Sequence, residues 1–249
     1  MTVQILNGDA LYDLLPENIL SGDILIAREC LIDGPLSGET PEEFWKTRAE
    51  FISNSYSEPA ELYHTEVVTE FQKMRAIEPG SDVNLWFEDD LFCQVNLWYC
   101  ISLLSPIDDL KIYLVKPPLV DGLPDWRGFG ALNRDAIAKA YQERARMNKE
   151  EIVLLEKLWH AYKHSHSDEL AVLANEDAPH FPFLKDVVNA QLDRHLNRPQ
   201  NTLRQILSEN QGADFKTIFK EFSQREGIYG FGDLQVESLL ANIPEYKVD

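Results

Sequence analysis

Cysteine is scarce in this chain, and cationic side chains are heavily outnumbered. The three cysteines, Cys30, Cys93 and Cys100, show no C-x-x-C spacing, which argues against a disulfide framework or a structural zinc site. The 249 residues carry 23 Lys and Arg against 42 Asp and Glu, a formal net charge of −19. No run of Lys and Arg interrupts that balance. A surface so acidic repels phosphate backbones and anionic lipid, so general nucleic-acid or membrane binding is not expected. Long apolar runs are missing too, none approaching the ~18 residues that suggest a membrane span. The opening MTVQILNGDA has neither the basic region nor the apolar stretch of a signal peptide. These absences predict a reduced, cytoplasmic protein.

Signature loops are absent as well. No G-x-x-x-x-G-K-[ST] loop occurs, and Gly8 alone does not make a dinucleotide fingerprint, so classical ATP or NAD binding has no support. No G-x-S-x-G elbow occurs either, which weighs against an α/β-hydrolase triad.

What is present is a regular alternation. Short apolar strands are expected at VQIL (3–6), DILIARE (23–29), VNLWFE (83–88) and KIYLVK (111–116). Helices are expected between them, near 10–15, 41–52, 59–76 and 90–104. Thr40 as N-cap, Pro41 at the first helical position and Glu43 form a capping box. Strands separated by helices predict an α/β fold with an open, mostly parallel sheet covered on both faces. The segment PPLVDGLPDWRGFG (117–130) reads as a linker or an ordered excursion. Beyond it the chain reads helical, at 133–147, 149–163, 167–175, 181–196, 201–209 and 214–225. The expected organisation is an α/β domain over 1–125, a helical linker region over 126–180, and a small helical C-terminal domain over 181–249. The last suits a winged-helix-like bundle, although no wing is visible.

In such a sheet, ligands bind at the carboxyl ends of the strands. The first strand delivers Asn7, Gly8 and Asp9 to that rim; the second delivers Arg28 and Glu29, with Asp33 and Gly34 beyond; the third delivers Glu88, Asp89 and Asp90. The opposite edge receives Thr2, Asp23 and Asp82, ordinary turn residues. Glu88 and Asp90 are the candidate catalytic residues and metal ligands, since paired carboxylates suit Mg²⁺ or a general base. Asp9 and Glu29 complete the expected site, Arg28 and Arg48 can clamp an anion in bidentate fashion, and Gln94 follows Asp90 by one helical turn. Asp89 is the expected helix cap. The plainer alternative is that these acids cap helices and turns while the arginines neutralise neighbouring carboxylates.

Four strings here, NGDAL (7–11), RECLIDGPL (28–36), RAEF (48–51) and LWFEDDLFCQVNL (85–97), resemble in order and spacing the bacterial family catalogued as domain of unknown function 1835. GFGDLQVESLL (230–240) resembles the Gly-Asp segment that closes many members. The resemblance implies a Rossmann-like domain with a polar site. It maps the family pattern onto Asp9, Glu29, Asp33, Gly34, Pro35, Arg48, Glu88, Asp90 and Gln94. Asp89 and Cys93 depart from it, standing where His and Asp are usual.

These features predict a protein that binds or processes a small phosphorylated or nucleotide-like ligand, as a Mg²⁺-dependent hydrolase or phosphotransferase. The alternative is a non-enzymatic regulatory module with a protein partner; DNA binding through Lys185, Arg194, Arg198, Arg204, Lys216, Lys220 and Arg225 is weaker, because acids are interspersed. His160, His164 and His166 read as the exposed end of a helix, since no carboxylate follows at a matching helical spacing. Cys93 in a first helical turn is a candidate for a lowered thiol pKa, with packing as its alternative. Trp86 and Trp98 are expected in the core.

Overall fold

Strand formers and turn residues produce the four expected strands, β1 (Thr2–Leu6), β2 (Asp23–Ile26), β3 (Asp82–Trp86) and β4 (Lys111–Val115). The structure, a computed structural model, describes residues 1–15, 21–119, 121, 126–244 and 246. The residues of the 117–130 excursion at 120 and 122–125 lie outside the described residues. The sheet order is β2-β1-β3-β4-β5, where β5 (Ala145–Arg146) is a short antiparallel edge and the other pairings are parallel. The fold is therefore α/β with a mostly parallel five-stranded sheet.

β5 replaces the end of the helix expected over 133–147. Helix α6 (Arg134–Gln142) stops early, and the Arg144 guanidinium lies over the rings of Tyr113 and Tyr141, 5.2 and 4.4 Å from their centroids. The N–H of Met147 then donates to Ile112 O at 2.9 Å, holding the chain at the sheet edge.

Strand side chains alternate between two cores. Val3, Ile5, Val83, Leu85, Ile112 and Leu114 enter the larger one. Leu6, Trp86 and Val115 enter a smaller one, closed by Leu11 of α1 (Asp9–Leu14), Phe129, Ile137 and Ala140. Trp86 and Trp98 are both buried, as expected. The indole N–H of Trp86 donates to Gln4 Oε1 at 2.9 Å, so a buried glutamine satisfies it.

The capping box of α2 (Pro41–Tyr56) forms, with reciprocal 3.2 Å bonds between Thr40 and Glu43. The next helical run holds α3 (Ala60–Tyr63), a π-helical stretch at His64–Val68, and α4 (Thr69–Arg75). α5 (Leu91–Leu104) is apolar nearly all round, and a helix of that kind is buried on every side. It packs against α4, α7 (Lys149–Lys163) and α9 (Leu184–His195).

α8 (Ser167–Leu173), α10 (Arg198–Glu209), α11 (Phe215–Glu226) and α12 (Asp233–Ala241) complete the chain. Side chains of these helices, including Leu203, Ile218, Phe222 and Val236, belong to the same apolar cluster as β1 and β3. No strand follows β5 among the described residues, so no β-hairpin wing is seen in them. Among the described residues, no helix is long and apolar enough to cross a membrane.

Candidate functional site

The strand order reverses direction between β1 and β3, and in open α/β sheets a ligand crevice forms outside the carboxyl ends of the strands at such a point. The residues arriving there are Asn7 and Gly8 from β1 and Glu88, Asp89 and Asp90 from β3.

The cap of α5 is Asp90, not Asp89 as the sequence suggested. Asp90 Oδ1 accepts the Cys93 backbone N–H at 2.9 Å, and Asp90 is 2 % exposed. Asp89 instead pairs with Lys116, whose ammonium also donates to His180 O at 2.8 Å. A run of three acids thus divides its work: one caps, one is neutralised, and Glu88 remains.

Glu88 Oε1 accepts the Phe129 backbone N–H at 2.6 Å, and the Cys93 Sγ lies 3.6 Å from Oε2. Gln94 does not offer its amide to the rim; Nε2 donates to the Glu88 carbonyl at 2.7 Å. Asn7 Nδ2 donates to Cys93 Sγ at 3.0 Å, and Asn96 Nδ2 bridges Asn7 Oδ1 and Glu29 O at 3.0 and 2.7 Å. Carboxylate oxygens of Glu88 and Asp90 and the Cys93 sulfur lie within 4.8 Å of one another.

Main chain presses directly on both carboxylates. Gly128 and Gly230 have φ of +62° and +65°, and a Cβ on either would stand 2.0 Å from a carboxylate oxygen, of Glu88 and Asp90 respectively. Each glycine opens a Gly-Phe-Gly string whose phenylalanine, Phe129 or Phe231, is buried. Two such strings stand in the sequence as a signal for this cover, and sequence reasoning missed it. We expect Gly230→Ala to lower stability by about 2 kcal/mol or more, because left-handed backbone and a close approach both forbid the methyl group. Chemical denaturation reads the loss.

Burial sets the electrostatics. Desolvation pushes the Glu88 carboxyl above its ordinary range, and the charge of Asp90 adds to the effect. Burial raises Asp90 likewise, against the bonds from Cys93 that favour its anion. The Cys93 thiol is pushed well above its usual value by burial and by Asp90 and Glu88. Cys93 thus follows the packing alternative and not the lowered pKa: burial first, and then the two carboxylates, oppose ionisation more than the helix start favours it. Among the described residues neither Glu88 nor Asp90 has an ion-pair partner.

The other expected site residues are committed within the protein. Arg48 is fully buried, donates to Glu29 Oε1 and Oε2 at 2.8 Å each, and also reaches the carbonyls of Cys30, Asp33 and Pro35. Glu29 accepts further bonds from Tyr63 Oη at 2.7 Å and Cys30 N at 2.6 Å. Arg28 forms a bidentate pair with Asp9 and donates to Glu66 O. Asp33 pairs with Arg194 at 2.6 Å and accepts from Tyr56 Oη at 3.2 Å. Both guanidiniums of the expected anion clamp are occupied by carboxylates: neighbouring strand ends bring Arg28 to Asp9, and α2 packs Arg48 onto Glu29 beyond the end of β2.

The space beside Glu88, Asp89 and Asp90, under Pro117, Pro118 and Trp126, is about 10 Å³, room for one water or one ion. Two carboxylates suit a hard divalent cation, whereas a protonated Cys93 offers such an ion little. Glu88 and Asp90 would hold Mg²⁺ there, with water completing its shell.

Fold and site together define an open α/β protein with a covered carboxylate pair at its strand-order reversal, without an ion-pair partner among the described residues. No family model matches the chain, and no curated protein and no solved structure matches it.

Proposed function

We propose that this chain is a cytoplasmic, Rossmann-like protein that holds a small phosphorylated or nucleotide-like ligand at the β1–β3 rim through a divalent cation carried by Glu88 and Asp90. The observation that carries this reading is the buried carboxylate pair, which has no ion-pair partner among the described residues. Such a pair is stable only if protonated or if a cation joins it. With Arg28, Arg48 and Arg194 paired to carboxylates, a metal ion on Glu88 and Asp90 would be a means of attracting an anionic ligand. In a hydrolytic or phosphoryl-transfer reaction the bound Mg²⁺ supplies Lewis-acid stabilisation of phosphoryl oxygens. In the metal-free form of this reading, Glu88, whose proton affinity burial and Asp90 raise, would instead take a proton from the attacking group.

The motif resemblance to the domain of unknown function 1835 family belongs with this reading. Its support is that Glu29, Asp33 and Arg48 of those strings form one bonded network, linked to Asn7 through Asn96.

A thermal-shift screen tests the proposal, using nucleotides and phosphorylated metabolites with and without Mg²⁺ or Mn²⁺. A ligand at a hundred times its Kd should stabilise by about 2.7 kcal/mol, a rise of roughly 5–10 °C for a chain of this size. The rise should require metal and vanish in Glu88→Gln. No shift with any metal–ligand combination would sink the reading.

The non-enzymatic alternative has an observation of its own. The helical C-terminal part touches the rim directly, through Gly230 against Asp90 and Arg194 on Asp33. A regulatory module would use those contacts to report rim occupancy to a protein partner. Nucleic acid has less support as partner, since Arg194, Arg198 and Arg225 are each paired with carboxylates.

A further inference from the structure

The corner between α7 and α8 gathers imidazoles that the rim does not use. α7 ends at Lys163, and Ser165 takes a left-handed conformation with φ of 56°. The N–H of His166 donates back to Ala161 O at 2.8 Å and that of Ser165 to Tyr162 O at 3.0 Å. This closure fixes the reversal of the chain. It brings His166 over the last turn of α7, with ring centroids of His160 and His166 5.8 Å apart. His164 stands 4.4 Å from His160 and 5.6 Å from His166 by the same measure. The first turn of α8 then adds Glu169, whose Oε2 lies 3.1 Å from His166 Nδ1. Reading one helix at a time overlooked this carboxylate, because it follows the break and not the helix that bears His160.

We propose that this corner binds a borderline divalent transition-metal ion, Zn²⁺ being the reference case, through His160, His166 and Glu169. Ligand atoms of these three side chains already lie within 4.8 Å of one another. A tetrahedral site with bonds near 2.0–2.2 Å needs them roughly 3.4 Å apart. All three residues are exposed, so small side-chain rotations close that gap while the backbone stays in place. Two imidazole nitrogens and one carboxylate oxygen suit Zn²⁺, Ni²⁺ or Cu²⁺ better than Mg²⁺.

The surroundings favour a cation. Lys163, the nearest ammonium in sequence, is drawn away to Gly38 O at 2.7 Å and over the Phe44 ring. His164 Nδ1 lies 2.9 Å from His160 O. A carbonyl partner requires that nitrogen to carry the hydrogen, which leaves Nε2 with its lone pair. His164 lies outside the set of three whose ligand atoms converge, so water would fill the fourth position. The chain's formal charge of −19 adds a long-range attraction for cations.

Calorimetric titration of the untagged, chelator-stripped full-length chain with ZnCl₂ tests the site. With the Glu88–Asp90 rim kept occupied by excess Mg²⁺, we expect one zinc ion per chain with a Kd of about 10 µM or tighter. His166→Ala and Glu169→Gln should each weaken it by about tenfold or more, with unchanged melting temperature in EDTA because the side chains are exposed. Glu88→Gln should leave zinc binding as it is, which separates this corner from the rim. Absence of saturable binding overturns the proposal. So does binding that survives His160→Ala/His166→Ala or that is lost in Glu88→Gln.

Discussion

Arg48→Met should lower the unfolding free energy by about 3–5 kcal/mol, the cost of leaving one member of a buried ion pair without its partner. Neither side chain of the Arg48–Glu29 pair has any solvent exposure. The guanidinium also ties the carbonyls of Cys30, Asp33 and Pro35 to α2, so the loop after β2 would lose its anchor. Methionine keeps most of the volume, which makes the loss one of charge and hydrogen bonding rather than of a cavity. Adding Glu29→Gln removes the orphaned charge and should recover part of the loss, because contacting residues are not additive. The amide still accepts from Tyr63 or Cys30, whose bonds to Glu29 are 2.7 and 2.6 Å. Denaturant melts of the two single variants and the double variant give the coupling energy. A loss below 1 kcal/mol in Arg48→Met would show that the pair is not the anchor of this loop.

Stability should fall as pH rises from about 4 to 7, and Glu88→Gln should remove most of that fall. Burial pushes Glu88 up from 4.5 to about 7 and Asp90 up from 3.8 to about 6. Across that window the folded chain keeps a proton that the unfolded chain has released, so folding is favoured at low pH and weakened as the proton leaves. With each pKa unit worth about 1.4 kcal/mol, the contribution of Glu88 is on the order of 3 kcal/mol. The pair titrates as a unit, so the transition belongs to both carboxyls. Glu88→Gln should match the parent near pH 4 and melt higher at pH 7 and above, since the amide never acquires the charge. A parent melt that is flat over this range, or unaltered by the substitution, would contradict an uncompensated pair. Saturating Mg²⁺ should narrow the gap at pH 8 if a cation takes the place of the proton.

The local architecture was legible because short-range physics decides it. Alternating apolar strands and capped helices announced β1 to β4 and α2 before any tertiary contact was known, and Thr40 and Glu43 bond as the string ETPEE implies. The rim was legible too, since parallel strands must deliver Asn7 and Glu88–Asp90 to the same edge. β5 was not, because two residues beside β4 are strand only where a neighbour supplies the ladder, and propensity favours helix there. Gln4 was not singled out either; a buried amide is stable only against the particular Trp86 indole that it meets.

By itself, then, the sequence determined the α/β order, the acidity and the set of polar residues at one sheet edge, all consequences of residue type and short spacing. Tertiary structure decided which charges neutralise each other. Arg48 chose Glu29, Arg28 chose Asp9, Lys116 chose Asp89 and Arg194 chose Asp33, over separations of 19, 19, 27 and 161 residues. Among the described residues Glu88 and Asp90 were left without ion-pair partners, and Gly128 and Gly230 cover them. Those outcomes depend on distances of a few ångströms between segments remote in the chain, and no local pattern encodes them.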